Sequence, residues 1–183
     1  DELSRLGHRH VFFADDNLFV DALRTKALLR ALVPLRIQWS CQLSIDATED
    51  AETMHLLERS GCTMALVGFE SLKAGNLRQM KKAWNLRPGG YERAVRALHD
   101  AGVMVYGTFV FGYDEDVVDD FDRAVDFAVS QRLFLANFNP LTPTPGAALF
   151  ARDLGQRDII DGSRCCGMNI LIIKERLPQR IIA

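Results

Sequence analysis

Apolar runs alternate along the chain with segments whose apolar residues recur at helical spacing. β-Branched and aromatic runs begin near His10, Ile37, Met64, Val103 and Phe134, and each predicts a strand. Between them, apolar residues recur every three or four positions, which predicts helices with one apolar face. The repeats are Leu28, Leu29 and Leu32, then Ala51, Met54 and Leu57, then Tyr91, Ala94, Val95 and Leu98, and then Val117, Phe121, Ala124, Val125 and Ala128.

The strand runs are typical of strands buried on both faces, as in a parallel sheet covered by helices. A (β/α) barrel and an open doubly wound sheet both fit. An open sheet usually has a Gly-rich phosphate loop after its first strand, whereas here that strand ends in Asp15-Asp16-Asn17. Five units in 183 residues are fewer than the eight of a complete barrel of about 250 residues. The predicted fold class is therefore α/β, a partial TIM-like (β/α) barrel with parallel strands.

Both ends of the chain predict interrupted helices. Residues 1–7 read as the last turns of a helix closed by Gly7, with no initiator Met. The chain stops shortly after Pro178, a residue favoured at the first position of a helix. We therefore expect an incomplete barrel, truncated at both ends. Residues 1–154 are the expected barrel domain, and residues 155–183 are the expected C-terminal extension, a strand followed by the start of a helix.

Composition narrows the possible functions only slightly. The chain is 48% hydrophobic and 25% charged, as in an ordinary globular protein, and its net charge of −2 gives no reason to expect nucleic-acid binding. No apolar run approaches the roughly 20 residues of a membrane span. The cysteines, Cys41, Cys62, Cys165 and Cys166, form neither a disulfide framework nor a C-x-x-C metal site. Free thiols favour a cytoplasmic location, and we expect Cys41 and Cys62 in the core.

Polar residues follow every predicted strand, at the strand ends where parallel βα folds bind their ligands. Convergent carboxylates and amides there are suited to the hydroxyls and amino group of a small polar ligand. The pattern therefore predicts a small-molecule site at the barrel mouth. In chain order, the polar residues are Asp15, Asp16, Asn17, Gln42, Ser44, Asp46, Glu70, Ser71, Asp114, Asp116, Asn137 and Asn139.

Some of these residues also have a purely structural interpretation as helix caps. Asp16 or Asn17 is suited to cap a helix that starts at Leu18, because a short polar side chain accepts a bond from the first backbone N–H groups. Asp114 and Asp116 precede another predicted helix, and the same interpretation applies to them.

Other positions leave a similar choice open. Gln42 and Ser44 either bind a ligand or satisfy backbone groups, and Glu70-Ser71 is either part of the site or a solvated loop. Gly68 and Gly107 lie inside apolar strands, where glycine indicates either a ligand close to the backbone or a tight packing contact.

Six motifs follow one another along residues 1–154. They are VFFADDN at 11–17, WSCQLS at 39–44, SGC at 60–62 leading to VGFES at 67–71, LHDAG at 98–102, GTFVFG at 107–112 and PLTPTPG at 140–146. In this order they closely resemble the radical S-adenosylmethionine (SAM) enzymes that carry an N-terminal cobalamin-binding domain. Weaker similarity continues through residues 161–169, where Gly162 and Cys165 replace the Trp and Tyr that the family often has.

The resemblance implies roles for the strand-end residues in binding SAM. The amino group of its methionine would meet Asp15, Asp16 and Asn17. Its ribose or carboxylate would lie near Gln42, Ser44 and Glu70, with Ser71 beside them. Its adenine would lie against the backbone of residues 107–110, which include Gly107, Phe109 and Val110. Asn139 and the proline loop at 140–146 would close the mouth.

The resemblance also implies cofactors and a reaction. In this family an electron donor reduces a [4Fe-4S] cluster, and the reduced cluster cleaves SAM to give a 5′-deoxyadenosyl radical. This radical abstracts a hydrogen from a small-molecule substrate. The cluster's C-x-x-x-C-x-x-C loop is expected upstream of this chain, so the chain alone is expected to be inactive. SAM, the cluster and cobalamin are the implied cofactors, and methylation or rearrangement is the implied reaction. The alternatives are an unrelated (β/α)-barrel lyase or isomerase, and a catalytically dead barrel acting as an interaction module.

Overall fold

The structure, a computed structural model, describes residues 5, 7, 9–86, 90–142 and 170–173, and strands and helices alternate along it. The strands are β1 (His10–Phe12), β2 (Gln38–Leu43), β3 (Cys62–Glu70), β4 (Met104–Phe111), β5 (Leu135–Pro140) and β6 (Ile170–Ile173). The α-helices are α1 (Ala22–Leu32), α2 (Ala51–Ser60), α3 (Ala74–Gln79), α4 (Gly90–Asp100) and α5 (Val118–Ser130). Short 3-10 helices span Val33–Leu35, Ile45–Glu49 and Ala83–Leu86.

The six strands form one sheet in chain order, from β1 at one side to β6 at the other. Strands β1 to β5 are parallel, and each crossover between them contains at least one α-helix. They curl into a half-barrel, which confirms the predicted α/β fold and the partial (β/α) barrel. Strand β6, which lies in the expected C-terminal extension, runs antiparallel to β5 and departs from the expected all-parallel sheet.

Alternate residues of each strand point to opposite sides of the sheet, and the two sides differ in burial. The helix face, covered by the α-helices, carries side chains such as Trp39, Val67 and Phe109, which are at most 1% exposed. The open face carries the residues between them, such as Gln42 and Thr108, and these are half-buried. The open face is therefore the side of the half-barrel that a ligand can reach.

An aromatic cluster on the helix face connects β3, β4 and β5 to the helices. The rings of Phe69, Phe109 and Phe138 stack in sequence, with centroids 5.5 and 5.2 Å apart. Tyr91 of α4 and Phe127 of α5 pack edge-on against Phe69, at 4.9 and 5.4 Å. Burying rings of this size supplies much of the stability of a domain, so the cluster holds together three strands, two of which, β3 and β4, contribute their ends to the site described below.

Gly107 lies beside this cluster, and the packing explains why the strand has a glycine there. A Cβ at position 107 would lie 2.7 Å from Cδ1 of Leu133 and 2.9 Å from Cε2 of Phe69. The glycine therefore makes room for two core side chains on the helix face. The packing interpretation of Gly107 accounts for this residue without a ligand.

The two described cysteines are also core residues, as predicted. Cys41 and Cys62 are free and buried on the helix face of β2 and β3. A hydrogen bond with Cys62 and burial both raise the pKa of the Cys41 thiol well above its usual range. Thiols in this state are inert packing residues rather than nucleophiles.

Helix ends follow the chemistry that the sequence indicates, with one correction. Gly61 ends α2 with φ +87°, and a Cβ there would lie 2.2 Å from the carbonyl oxygen of Ile37, so the predicted helix-to-strand joint requires glycine. Helix α1 begins at Ala22 rather than at Leu18, because Asp21 caps it by accepting a 3.1 Å bond from the Arg24 N–H. Asp16 and Asn17 are therefore not helix caps.

Candidate functional site

A polar cavity of about 280 Å³ lies on the open face, at the carboxyl ends of β2, β3 and β4. A larger cavity, of about 390 Å³, lies away from the strand ends, between the 3-10 helix Ile45–Glu49 and α4, so the smaller one is the candidate site. Five of the residues predicted from the strand ends line it, namely Asp16, Asn17, Gln42, Ser44 and Glu70.

The loop after β1 is held against the end of β2 by hydrogen bonds. Nδ2 of Asn17 donates to Oγ of Ser44 at 3.1 Å, and Oδ1 of Asn17 accepts from the Phe19 N–H at 3.0 Å. The Leu18 N–H donates to the carbonyl oxygen of Gln42 at 3.2 Å, and the Ser44 hydroxyl donates to Asp46. Asn17 and Ser44 therefore organise the mouth through side-chain contacts, beyond satisfying local backbone groups.

Glu70 reaches the cavity from an unusual backbone conformation at the end of β3. Its φ is +65°, a value that side-chain-bearing residues rarely adopt, and the pairing register of β3 with β4 shifts between Gly68 and Glu70. The side chain folds back over Gly68, where a Cβ would lie 2.6 Å from Oε1 of Glu70. Gly68 is therefore needed to give the Glu70 carboxylate its place in the cavity.

Lys82 and Asn85 also line the cavity, and the sequence patterns did not identify them. Nζ of Lys82 lies 2.5 Å from Oε1 of Glu70 and forms an ion pair with it. Both residues come from the turn that follows α3, where the Lys82 N–H bonds to the carbonyl oxygen of Leu77 and the Asn85 N–H bonds to that of Lys82. The cavity therefore combines carboxylates, amides and one ammonium group.

Other predicted residues lie outside the cavity lining. Asp15 is exposed. Ser71 is 8% exposed, and its hydroxyl accepts from the Lys73 N–H and from Asn76. Phe109 lies in the aromatic cluster of the helix face, so it can meet a ligand through its backbone alone.

Val110 and Asn139 lie on the open face, half-buried, next to each other in the pairing of β4 with β5. Nδ2 of Asn139 donates to the carbonyl oxygen of Phe109 at 3.4 Å. Most of the proline loop, residues 143–146, lies outside the described residues. The proposed roles of Asn139 and of this loop in closing the mouth stay predictions.

Asp116 and Asn76 tie together the loops after β3 and β4. Oδ2 of Asp116 accepts from the N–H groups of Gly112 and Tyr113, at 2.7 and 2.9 Å, and its Oδ1 accepts from Nδ2 of Asn76 at 2.6 Å. Asp116 thus braces a loop instead of capping α5. The Val117 N–H at the start of that helix is satisfied by Asp120, at 2.8 Å.

One acceptor on the open face has no hydrogen-bond partner among the residues that the structure describes. Oδ1 of Asn137, in the middle of β5, is buried and makes no hydrogen bond. Asn137 pairs in register with Thr108, whose side chain lines the cavity. A buried acceptor without a donor costs free energy, and Asn137 itself does not line the cavity.

Within the described part of the chain, no three His, Cys, Asp or Glu side chains come together as a metal site would require. Cys41 and Cys62 point to the helix face, away from the cavity. No helix in the same part has the length and apolar character needed to cross a membrane.

The chain matches no protein-family model but is similar to curated methyltransferases. The bacteriochlorophyllide d C-12(1)-methyltransferase of Chlorobaculum tepidum is 34% identical over 148 residues, which are 80% of this chain and 32% of the relative. The bacteriochlorophyllide d C-8(2)-methyltransferase of the same organism is 28% identical over 164 residues, 88% of this chain and 36% of the relative. The chain thus spans about a third of the length of these relatives.

A solved structure of similar fold is that of the radical SAM methyltransferase TsrM from Kitasatospora setae, with cobalamin and a [4Fe-4S] cluster bound. The two superpose with a TM-score of 0.66 and 19% identity, over 76% of this chain and 29% of that one. At this level of identity the likeness concerns the fold. The described residues therefore share the fold of part of the barrel of that protein, a (β/α) architecture that the sequence patterns predicted.

Proposed function

We propose that this chain is the SAM-binding part of a radical SAM methyltransferase that acts on a small organic molecule. The observation that carries the proposal is the cavity at the strand ends, where Asp16, Glu70 and Lys82 meet amides on the open face. Two curated relatives named as methyltransferases support the choice of methylation over rearrangement. The parent protein is accordingly an enzyme, and its substrate, cofactors and electron donor are part of the proposal.

The donor and acceptor groups of the cavity suit SAM. SAM carries an ammonium, a carboxylate, a sulfonium, ribose hydroxyls and an adenine. Lys82 would hold the carboxylate, while Asp16 and Glu70 would hold the ammonium or the hydroxyls. The volume of about 280 Å³ lies near the lower limit of small-molecule sites, roughly 300 Å³, and the half-barrel is open above it.

The described cysteines do not suit an iron–sulfur cluster, because a cluster needs several thiolates around one volume and these two are buried on the helix face. We therefore propose that the cluster ligands, and any cobalamin domain, belong to segments outside the described residues. When bound, the cluster and SAM supply the radical. The residues of this chain bind and orient SAM and keep water away from it.

The lysine in the cavity also bears on the alternative of a (β/α)-barrel lyase or isomerase. Such enzymes often use a lysine as a nucleophile, which must be free to approach the substrate. Nζ of Lys82 is instead held 2.5 Å from Oε1 of Glu70 in an ion pair. The contact favours a binding role for Lys82.

The test begins with the reading frame that encodes this chain. We expect a C-x-x-x-C-x-x-C loop upstream of Asp1, following a predicted strand. The protein encoded by that frame would be reconstituted with iron and sulfide, and SAM binding would be measured by equilibrium dialysis. Release of 5′-deoxyadenosine under reducing conditions would be the second readout.

Two matched lysine variants sharpen the test. Lys82→Met should weaken SAM binding about 10-fold or more, because a charge-assisted contact to the carboxylate is lost. Lys26→Met is the control, because Lys26 pairs with Asp50 and Glu52 on the surface, outside the cavity. An unreactive protein with no cluster loop and no SAM binding would instead support the interaction-module alternative.

A further inference from the structure

The backbone turn at Glu70, at the end of β3, is a strained feature of the candidate site. The Ser71 N–H donates to the carbonyl oxygen of Phe69 at 2.8 Å, so Glu70 is the central residue of a three-residue turn with φ +65°. Turns of this kind are rare and strained. Backbone strain of this type persists only where surrounding contacts hold it, and it concentrates at functional sites.

Tyr91 supplies such a contact from the helix layer behind the sheet. Its hydroxyl donates to the carbonyl oxygen of Phe69 at 2.6 Å and lies 3.4 Å from that of Ser71, so it bonds to both sides of Glu70. Its ring packs edge-on against Phe69 at 4.9 Å, and the residue is 8% exposed. Burial raises the pKa of Tyr91 well above its usual range, so the hydroxyl stays a donor at any working pH.

The same hydroxyl also contacts a second residue that lines the cavity. Asn85, which lines the cavity and is 6% exposed, forms a side-chain hydrogen bond with Tyr91. Asn85 in turn follows Lys82 by one helical turn, and its N–H bonds to the carbonyl oxygen of Lys82 at 3.0 Å. One buried hydroxyl is thus connected both to the turn that carries Glu70 and to the turn that carries Lys82.

We propose that Tyr91 is a positioning residue, which sets the direction of the Glu70–Lys82 pair towards the ligand without touching the ligand. The inference rests on the proposed function, because it takes SAM as the ligand of the cavity. Without the hydroxyl, the strained turn relaxes towards ordinary strand geometry, and the Glu70 carboxylate leaves its place over Gly68. The ring of Tyr91 keeps its packing in a phenylalanine variant, so the effect isolates the hydrogen bonds.

The experiment compares Tyr91→Phe with Val95→Ala in the protein encoded by the full reading frame. Val95 is a fully buried residue of the same helix that takes no part in the cavity. We expect Tyr91→Phe to weaken SAM binding about 3- to 10-fold, the effect of losing one or two hydrogen bonds. Val95→Ala should lower Tm at least as much while leaving the affinity for SAM unchanged.

A second background shows whether Tyr91 acts through Glu70. In a Glu70→Ala protein the carboxylate is gone, so adding Tyr91→Phe should change SAM affinity far less than it does in the wild type. An equal loss in both backgrounds, or unchanged affinity in Tyr91→Phe, overturns the inference while SAM binding by the wild type stands. Failure of the wild type to bind SAM is a different result, which overturns the proposed function.

Discussion

The two faces of the sheet are made by the same strands and have opposite properties. On the helix face, Phe69 and Phe109 are fully buried in a stack of aromatic rings. On the open face, one residue away in each strand, Gly68 and Thr108 line a polar cavity. Strand geometry separates two tasks that are adjacent in sequence, because successive side chains point in opposite directions. Stability should therefore depend mainly on the strand residues that face the helices, and ligand binding on the alternate residues that face the cavity.

The largest expected effect comes from truncating the helix face. Phe109→Ala removes a ring that is 0% exposed and stacks on both Phe69 and Phe138. We expect a loss of about 3–5 kcal/mol in the free energy of unfolding, because the surrounding core cannot fully close the void that the missing ring leaves. Urea denaturation followed by circular dichroism measures it.

The neighbouring Thr108→Ala variant is the control for the other face. Thr108 is half-buried on the open face, so its loss should change the free energy of unfolding by less than about 1 kcal/mol. If both variants lost stability equally, the division of tasks between the faces would be wrong.

An intermediate effect is expected from adding one methyl group to each face. In Gly107→Ala the new Cβ meets core carbon atoms of Leu133 and Phe69, and overpacking of this kind costs about 1–3 kcal/mol. In Gly68→Ala the new Cβ meets Oε1 of Glu70, the end of a flexible side chain that can move away. Gly107→Ala should therefore lower stability without changing the cavity, and Gly68→Ala should weaken SAM binding with a smaller change in stability. Thermal unfolding and equilibrium dialysis on both variants separate these outcomes.

The smallest expected effect concerns an ion pair between two helix starts, in which Nζ of Lys73, just before α3, lies 2.6 Å from Oδ2 of Asp120 in α5. Burial acts to raise the pKa of Asp120, but hydrogen bonds from Lys73 and from the Val117 N–H outweigh it and lower that pKa. A lowered pKa in the folded state adds stability above the unfolded-state value of about 3.9, and this stability is lost as the pH falls through the folded-state value. Lys73→Met should therefore lower Tm by roughly 2–4 °C at pH 7. The difference from the wild type should shrink as the pH falls below about 4, and a constant difference would contradict the assignment.

The sequence predicted the fold well because the fold depends on the helix face. The five parallel strands and the long helices follow from repeated apolar positions such as Tyr91, Ala94 and Leu98, which are all buried. Helix α3 escaped prediction because Ala74–Gln79 is short and contains few apolar residues to repeat. The antiparallel direction of β6 was not predicted, because an apolar run does not indicate in which direction the strand will pair with its neighbour.

The candidate site was predictable only in part, for a related reason. Asp16 lies in the loop after β1, and Gln42 and Glu70 lie in the last two residues of β2 and β3, so their place at the mouth follows from chain order. Lys82 enters the cavity from a turn after α3, and a lysine in a polar segment gives no signal of burial. The left-handed φ of Glu70 is equally invisible, since it arises from tertiary contacts such as that with Tyr91.

The antiparallel direction of β6 determines how this sheet can be extended. Each parallel strand is reached by a helix that returns the chain to the amino ends of the strands. Strand β6 occupies the outer side of β5 in the opposite direction, so no further parallel strand can pair with β5 there. Within the described residues, β1 is the parallel strand whose outer side carries no neighbour. Further parallel strands of a larger barrel can therefore pair directly with β1, whereas on the other side the sheet continues through the antiparallel β6.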